Sequence, residues 1–272
     1  MEEIQLALSR TMFRMKRIIK NYLQGLFRIR GYELIPSWSI PDLPLTGHLK
    51  VLFNHLNIQC VLDVGGHKGG YRDFLRNNVG YNGLIISFEP MKEKIELLKK
   101  RAEQDPLWKI EGYALGSLDT QMPINVMVGS ECSSFLVPDD SITDACINGN
   151  VVDHQELCEI KCLDTIAMEL KAKYPLENKF LKIDTQGYDL EVIKGGEKTL
   201  SEMMAVQAEI CFLRIYKDMP DYFTVIQELK HKGFDVSCIH PIHRDRLLRI
   251  VAADCVMINR FIVQDLFTVK NR

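Results

Sequence analysis

The segment Cys60-Val61-Leu62-Asp63-Val64-Gly65-Gly66-His67-Lys68-Gly69-Gly70 constrains this chain more than any other. An apolar run that ends in an acid and passes at once into a glycine-rich stretch reads as a strand turning sharply into a helix. Glycines at such a turn let the backbone come close to a ligand or to neighbouring chain. The spacing is not the G-x-G-x-x-G of a dinucleotide turn, and the phosphate-binding lysine of a P-loop is missing. Instead, Asp63 stands two positions before the first glycine. A carboxylate there would repel a pyrophosphate and attract the cationic amino group of an amino-acid moiety. Taken alone, the turn also fits a purely structural role.

From about residue 49 onward, short apolar runs alternate with amphipathic segments, the pattern of β-α units around a mostly parallel sheet. Strands are expected at 60–63, 84–89, 108–115, 180–184, 205–211, 234–239 and 250–258. Helices are expected at 71–77, 92–102, 163–172, 190–200 and 222–232. The polar stretch 116–154, with strand character at 124–128, reads as an insertion over the site. The predicted fold is therefore α/β and Rossmann-like, with seven strands and helices on both faces.

Residues 1–48 differ in kind. Through Tyr32, seven Lys and Arg face Glu2 and Glu3, a balance of +5, which leaves −7 for the rest of a chain whose formal net charge is −2. Apolar residues at helical spacing over 4–27, including Leu6, Phe13, Ile19 and Leu26, predict an amphipathic basic helix. A Pro-rich linker, 36–44, follows. The expected organisation is an extension at 1–48 and a catalytic domain at 49–272. The helix either packs on the domain or docks a protein or a membrane surface. Near-neutral charge argues against a nucleic-acid partner. The eight cysteines include no CxxC pair, so a zinc site is poorly supported. With no signal peptide and no apolar run of membrane-spanning length, the expected location is cytoplasmic, with peripheral membrane attachment as a variant. An oligomer is compatible with all of this.

A second acid, Glu89, ends the strand Leu84-Ile85-Ile86-Ser87-Phe88-Glu89 and is followed by Pro90. Such a carboxylate can accept both hydroxyls of a ribose. Asp63 and Glu89, one β-α-β unit apart, suit a ligand that joins an amino acid to a ribose, and S-adenosylmethionine is the obvious one. A third acid, Asp184, ends the apolar strand at 180–184 and should face the crevice at the carboxyl edge of the sheet. It could orient a substrate, act as a base or ligate a cation. Glu209, His154 and His240 are the further catalytic candidates, with His243 and the loop residues Ser133 and Ser134 behind them. A metal held by Asp184 and Glu209, with help from His240, would be magnesium, because the oxygen ligands are hard.

The ordered set Asp63-Val64-Gly65 with Gly69, Phe88-Glu89-Pro90, and Leu181-Lys182-Ile183-Asp184 with Gly187 and Lys194-Gly195 resembles the FkbM family of methyltransferases. The likeness spans roughly 60–260 and includes Glu209, Tyr216 and Ala253-Asp254-Cys255-Val256. The family turn usually reads Asp-Val-Gly-Ala-Asn-x-Gly, whereas Gly66 and His67 stand here. The resemblance implies a class I methyltransferase fold and S-adenosylmethionine as donor. The cofactor set it suggests is Asp63, Gly65, Gly66, His67, Gly69, Glu89, Pro90, Ala114, Leu115 and Asp184. It also implies transfer to oxygen on a sugar, glycan or natural-product acceptor. Two alternatives stay open: a catalytically silent cofactor-binding subunit that docks through the basic helix, and a nicotinamide-dependent oxidoreductase.

Overall fold

The computed structural model describes residues 40–139 and 149–269, together with 22, 25–27, 29–32 and 37. By its internal contacts the chain divides into units 1–44 and 45–272. The basic helix expected over 4–27 falls almost wholly outside the described residues, as does part of the linker at 36–44.

Ten strands alternate with eight helices among the described residues. The first helix, α1 (Leu43–His55), begins inside the predicted linker, with Pro44 in its first turn where a missing N–H costs nothing. Strands β1 (Cys60–Val64), β2 (Leu84–Phe88) and β7 (Lys179–Ile183) are buried at every residue, as expected of central parallel strands. With β3 (Trp108–Glu111), β8 (Met203–Cys211), β9 (Phe234–Arg244) and β10 (Ile250–Asn259) they form a seven-stranded sheet of order β3-β2-β1-β7-β8-β10-β9. β10 runs antiparallel to both its neighbours, and the other pairings are parallel.

Alternation along the strands sorts side chains to two faces. Cys60, Leu62 and Val64 pack with Leu163, Ile166 and Leu170 of α4 (Leu163–Lys173) and with Val192 of α5 (Asp189–Gly195). Val225 and Leu229 of α7 (Tyr222–His231) complete that layer. Val61 packs on the other face, with Leu49 and Phe53 of α1 and Leu98 of α3 (Lys92–Ala102). The helix predicted at 71–77 is a short α2 (Gly70–Phe74) continued by a π-helical turn, Leu75–Val79. The helix predicted at 190–200 is interrupted, with α6 (Glu197–Leu200) separate from α5. The last helix is α8 (Arg260–Val269).

The strand expected at 108–115 is divided. Its end, β4 (Ala114–Leu115), leaves the main sheet and joins β6 (Val152–Lys161), which pairs antiparallel with β5 (Thr120–Met127). The predicted insertion is thus a second, three-stranded sheet. Residues 140–148 within it lie outside the described residues.

Candidate active site

A pocket opens at the carboxyl edge of the central strands. Gly65 and His67 line it on the β1 side, Glu89 and Pro90 after β2, and Asp184, Thr185 and Gln186 after β7. Glu209 near the end of β8 also faces it, and Ala114, Leu115, Ser133 and Ser134 come from the second sheet and its loop.

Gly65 is fixed by a close approach. Its φ is +91°, and an added Cβ would collide with the carbonyl oxygen of Asp184. The N–H groups of Gly65 and Gly66 both donate to the Phe88 carbonyl, so this turn stitches β1 to β2. Gly66 and Gly69 do not line the pocket; a Cβ on Gly69 would run into Trp108.

Glu89 is buried and held by two backbone donors, His67 N–H at 2.7 Å and Met91 N–H at 2.9 Å. Burial nevertheless pushes its carboxyl up to about 7, because desolvation outweighs those donors. His67 adopts a left-handed backbone, with φ 45°. Its Nε2 lies 2.9 Å from Ser130 Oγ, which ties the glycine turn to the loop after β5. Burial and the charges of Lys68 and Lys94 hold its imidazole below the usual histidine range.

The structure places Asp63 apart from the other acids of the sequence-based site. It is buried and absent from the pocket wall. Strand alternation sends its side chain to the Val61 face, under the helices. There Ser87, Asp63, Lys182 and Gln207 occupy matched positions on four adjacent strands and form a buried polar row. Ser87 Oγ donates to Asp63 at 2.7 Å, Trp108 Nε1 donates to Ser87 at 2.9 Å, and Tyr71 Oη donates to Gln207 at 2.8 Å. Burial lifts the Asp63 carboxyl to about 6 against the Ser87 bond and the Lys182 charge.

Lys182 Nζ reaches Asp184 at 3.0 Å and approaches Asp254 at 3.8 Å. The Asp184 side chain keeps 37% of its surface open, so a ligand can touch it. Burial acts to raise its carboxyl, but the Lys182 ammonium and hydrogen bonds from Glu209, Lys182 and Gln186 prevail and hold it well below the usual range. Glu209 moves the opposite way. Burial and the Asp184 charge push its carboxyl well above that range.

Gln186 is the residue that sequence reasoning missed. Its Nε2 donates to Asp184 at 2.9 Å and to Glu209 at 2.8 Å, and its Oε1 accepts from Tyr216 Oη at 3.1 Å. Ser134 Oγ donates to its backbone carbonyl at 2.7 Å. A polar residue in the turn between a strand-ending acid and Gly187 was the available signal. Asp189 caps the same turn, accepting from the N–H groups of Thr185 and Gly187 at 3.2 Å each.

Two histidine candidates fall elsewhere. His154 lies on β6 beside Asp153 and Glu156, and His240 is opposite Asp254 on β9; neither lines the pocket. Among the described residues no group of three or more His, Cys, Asp or Glu is arranged to hold a metal. Between Asp184 and Glu209 the Gln186 amide, a donor, takes the place a cation would need, so the magnesium expectation finds no support in the geometry.

The arrangement offers a buried acid beside an apolar slot formed by Pro90, Met91, Ala114, Leu115 and Phe135, and a second acidic end at Asp184 and Glu209. That suits a cationic purine nucleoside. Similar solved structures include an FkbM methyltransferase from Methylobacillus flagellatus, at 14% identity over 74% of this chain and 44% of that one, with a TM-score of 0.46. This chain therefore spans less than half of that protein's length. A SAM-dependent methyltransferase from Aquifex aeolicus is 14% identical, covers 81% and 93%, and has a TM-score of 0.38. The magnesium protoporphyrin IX methyltransferase from Synechocystis, solved with bound SAM, is 11% identical, covers 90% and 96%, and has a TM-score of 0.39. No curated protein matches the chain. The family model of the methyltransferase FkbM domain matches residues 63–236, well over half of the 272 residues. With the strand-end acids and the glycine turn inside that match, the chain belongs to the FkbM family of methyltransferases.

Proposed function

We propose that the chain binds S-adenosylmethionine in this pocket and methylates a hydroxyl on a sugar, glycan or natural-product acceptor. The observation that carries the proposal is the pocket's two acidic ends, Glu89 on one side and the Asp184–Glu209 pair on the other, with an apolar slot beside them. Bound there, the donor supplies a methyl group on a sulfonium, already electrophilic enough that alignment with the acceptor is the main requirement.

Glu89 would accept from the ribose hydroxyls, and the slot of Pro90, Met91, Ala114 and Leu115 would take the adenine. Asp184, held ionised by Lys182, is a weak base but a strong hydrogen-bond acceptor. It would orient the acceptor hydroxyl and take its proton as the oxygen becomes positive. Glu209, whose carboxyl burial and the Asp184 charge push up, would donate to a neighbouring acceptor oxygen, while Asp184 passes the proton it has taken to solvent. Residues 49–272 form the catalytic domain in this proposal and 1–48 the extension that docks a partner or a membrane. Among the described residues no helix is long and apolar enough to cross a membrane.

Calorimetric titration of the full chain with S-adenosylmethionine tests the cofactor site. Micromolar binding, weakened at least roughly tenfold in Glu89→Ala, is expected from loss of a hydrogen bond to a charged group. A folded wild type that binds nothing would sink the proposal. Binding without turnover on any panel of hydroxylated acceptors would favour a silent subunit.

A further inference from the structure

The turn between β9 and β10 is built to present two leucines to the outside. Leu247 and Leu248 are each 74% exposed. Leu248 has φ +64°, a left-handed conformation that glycine or asparagine adopts readily and leucine does not. The turn is nevertheless tied down at almost every point. The buried Asp245 carboxylate accepts from the N–H groups of Leu247 and Arg249, each at 2.9 Å, and from Arg249 Nε at 2.6 Å. Leu248 N–H donates to the Asp245 carbonyl at 3.0 Å, and Arg244 donates to the Leu248 carbonyl at 3.0 Å. A strained backbone held this firmly, at a site with no packing for its side chains, points to a function for those side chains.

Position and charge say what they meet. β10 pairs Ala252 with Cys211, the last residue of β8, and Ile250 with Arg244. The turn therefore lies at the carboxyl edge of the sheet, the edge on which the pocket opens. More exposed apolar surface lies along that edge: Phe223 is 60% exposed, and beside it the ring of Tyr222 stacks at 4.4 Å on the half-buried Phe212, whose N–H donates to the Val251 carbonyl. Within 244–249 three arginines, Arg244, Arg246 and Arg249, accompany the single Asp245. Apolar tips ringed by arginine match an anionic bilayer, whose acyl region takes the leucines and whose phosphates take the guanidinium groups. A nucleic acid would have no use for the leucines.

We infer that the β9–β10 turn is a membrane-docking wedge: Leu247 and Leu248 enter an anionic phospholipid surface, flanked by Arg244, Arg246 and Arg249, and the pocket edge faces the bilayer. The acceptor is then a hydroxyl carried by a membrane-anchored molecule. That last step rests on the methyl-transfer proposal; the docking itself does not.

The test is sedimentation of the full chain with vesicles of phosphatidylcholine, with and without phosphatidylserine. The variant combines Leu247→Ser with Leu248→Asn, since asparagine accepts the left-handed backbone and keeps the turn folded. Wild type should sediment with the anionic vesicles, and the variant should lose roughly tenfold or more of that partition, while its S-adenosylmethionine titration stays unchanged. Equal partition by wild type and variant overturns the wedge, because the binding then comes from elsewhere, the N-terminal basic helix included. No vesicle binding, with a dimer in wild type that the variant loses, also overturns it and assigns the leucines to a second copy of the chain. Vesicle binding that depends on the leucines, in a protein that does not bind S-adenosylmethionine, would leave the wedge standing and remove the methyl-transfer proposal instead.

Discussion

The Lys182 ammonium lies 3.0 Å from the Asp184 carboxylate, in a buried neighbourhood that also holds Asp63, Asp254 and Glu209 among its charge partners. Removing it leaves carboxylates without compensation. Lys182→Met should destabilise the fold by about 3 kcal/mol at neutral pH, the usual cost of breaking a buried pair from one side. Urea unfolding measures the loss. The deficit should shrink in mild acid, where the orphaned carboxyls can take up protons.

Two buried acids set a pH dependence of their own. Glu89 titrates at about 7 and Asp63 at about 6, both above their unfolded values of 4.5 and 3.8. Between those limits the folded chain keeps protons that the unfolded chain has released. Stability from these groups is therefore full below the unfolded values and declines as pH rises through 6 to 7. The melting temperature of the ligand-free protein should fall from about pH 5 to about pH 7.5, and Glu89→Gln should flatten the upper part of the slope. Cofactor affinity should move oppositely and weaken as acid protonates Glu89.

The clamp at Gln186 separates two effects. Its φ of 52° is left-handed, where glycine fits without strain and alanine does not. Gln186→Ala and Gln186→Gly both lose the bonds to Asp184 and Glu209. Gln186→Gly should nevertheless be the more stable of the two by about 1 kcal/mol in urea unfolding. Equal stability would mean that the turn relaxes when the clamp is gone.

Neighbouring glycines should respond in opposite ways. Gly65→Ala drives a methyl group into the Asp184 backbone at positive φ, whereas the space around a Cβ on Gly70 is open. The first change should cost about 3 kcal/mol or prevent folding, as overpacking against immovable backbone does. Gly70→Ala should be neutral or slightly stabilising at the start of α2. Paired unfolding curves decide it.

Much of this architecture was legible because the central strands are apolar at nearly every position. Cys60-Val61-Leu62 and Phe180-Leu181 leave no other reading for segments buried on both faces. Glu89 after β2 and Asp184 after β7 both line the pocket. β6 was not legible, since one of its faces meets solvent and His154, Gln155 and Glu156 hide the alternation. The position of Asp63 was not legible for a simpler reason. It reads as a strand end, but it lies one residue short of that end, and the period of two turns it toward Ser87 and Trp108. Gln186 escaped notice because its importance comes from Glu209, Tyr216 and Ser134, partners distant in sequence.

The bond from Trp108 to Ser87, and from Ser87 to Asp63, gives the protein a built-in optical probe. The chain has two tryptophans, and Trp38 lies outside the described residues, whereas Trp108 sits beneath the glycine turn with the guanidinium groups of Arg72 and Arg101 over its ring. Its indole emission should report the ionisation of Asp63 one hydroxyl away. A fluorescence titration can thus follow the buried polar row of Asp63 and Ser87 with no label attached.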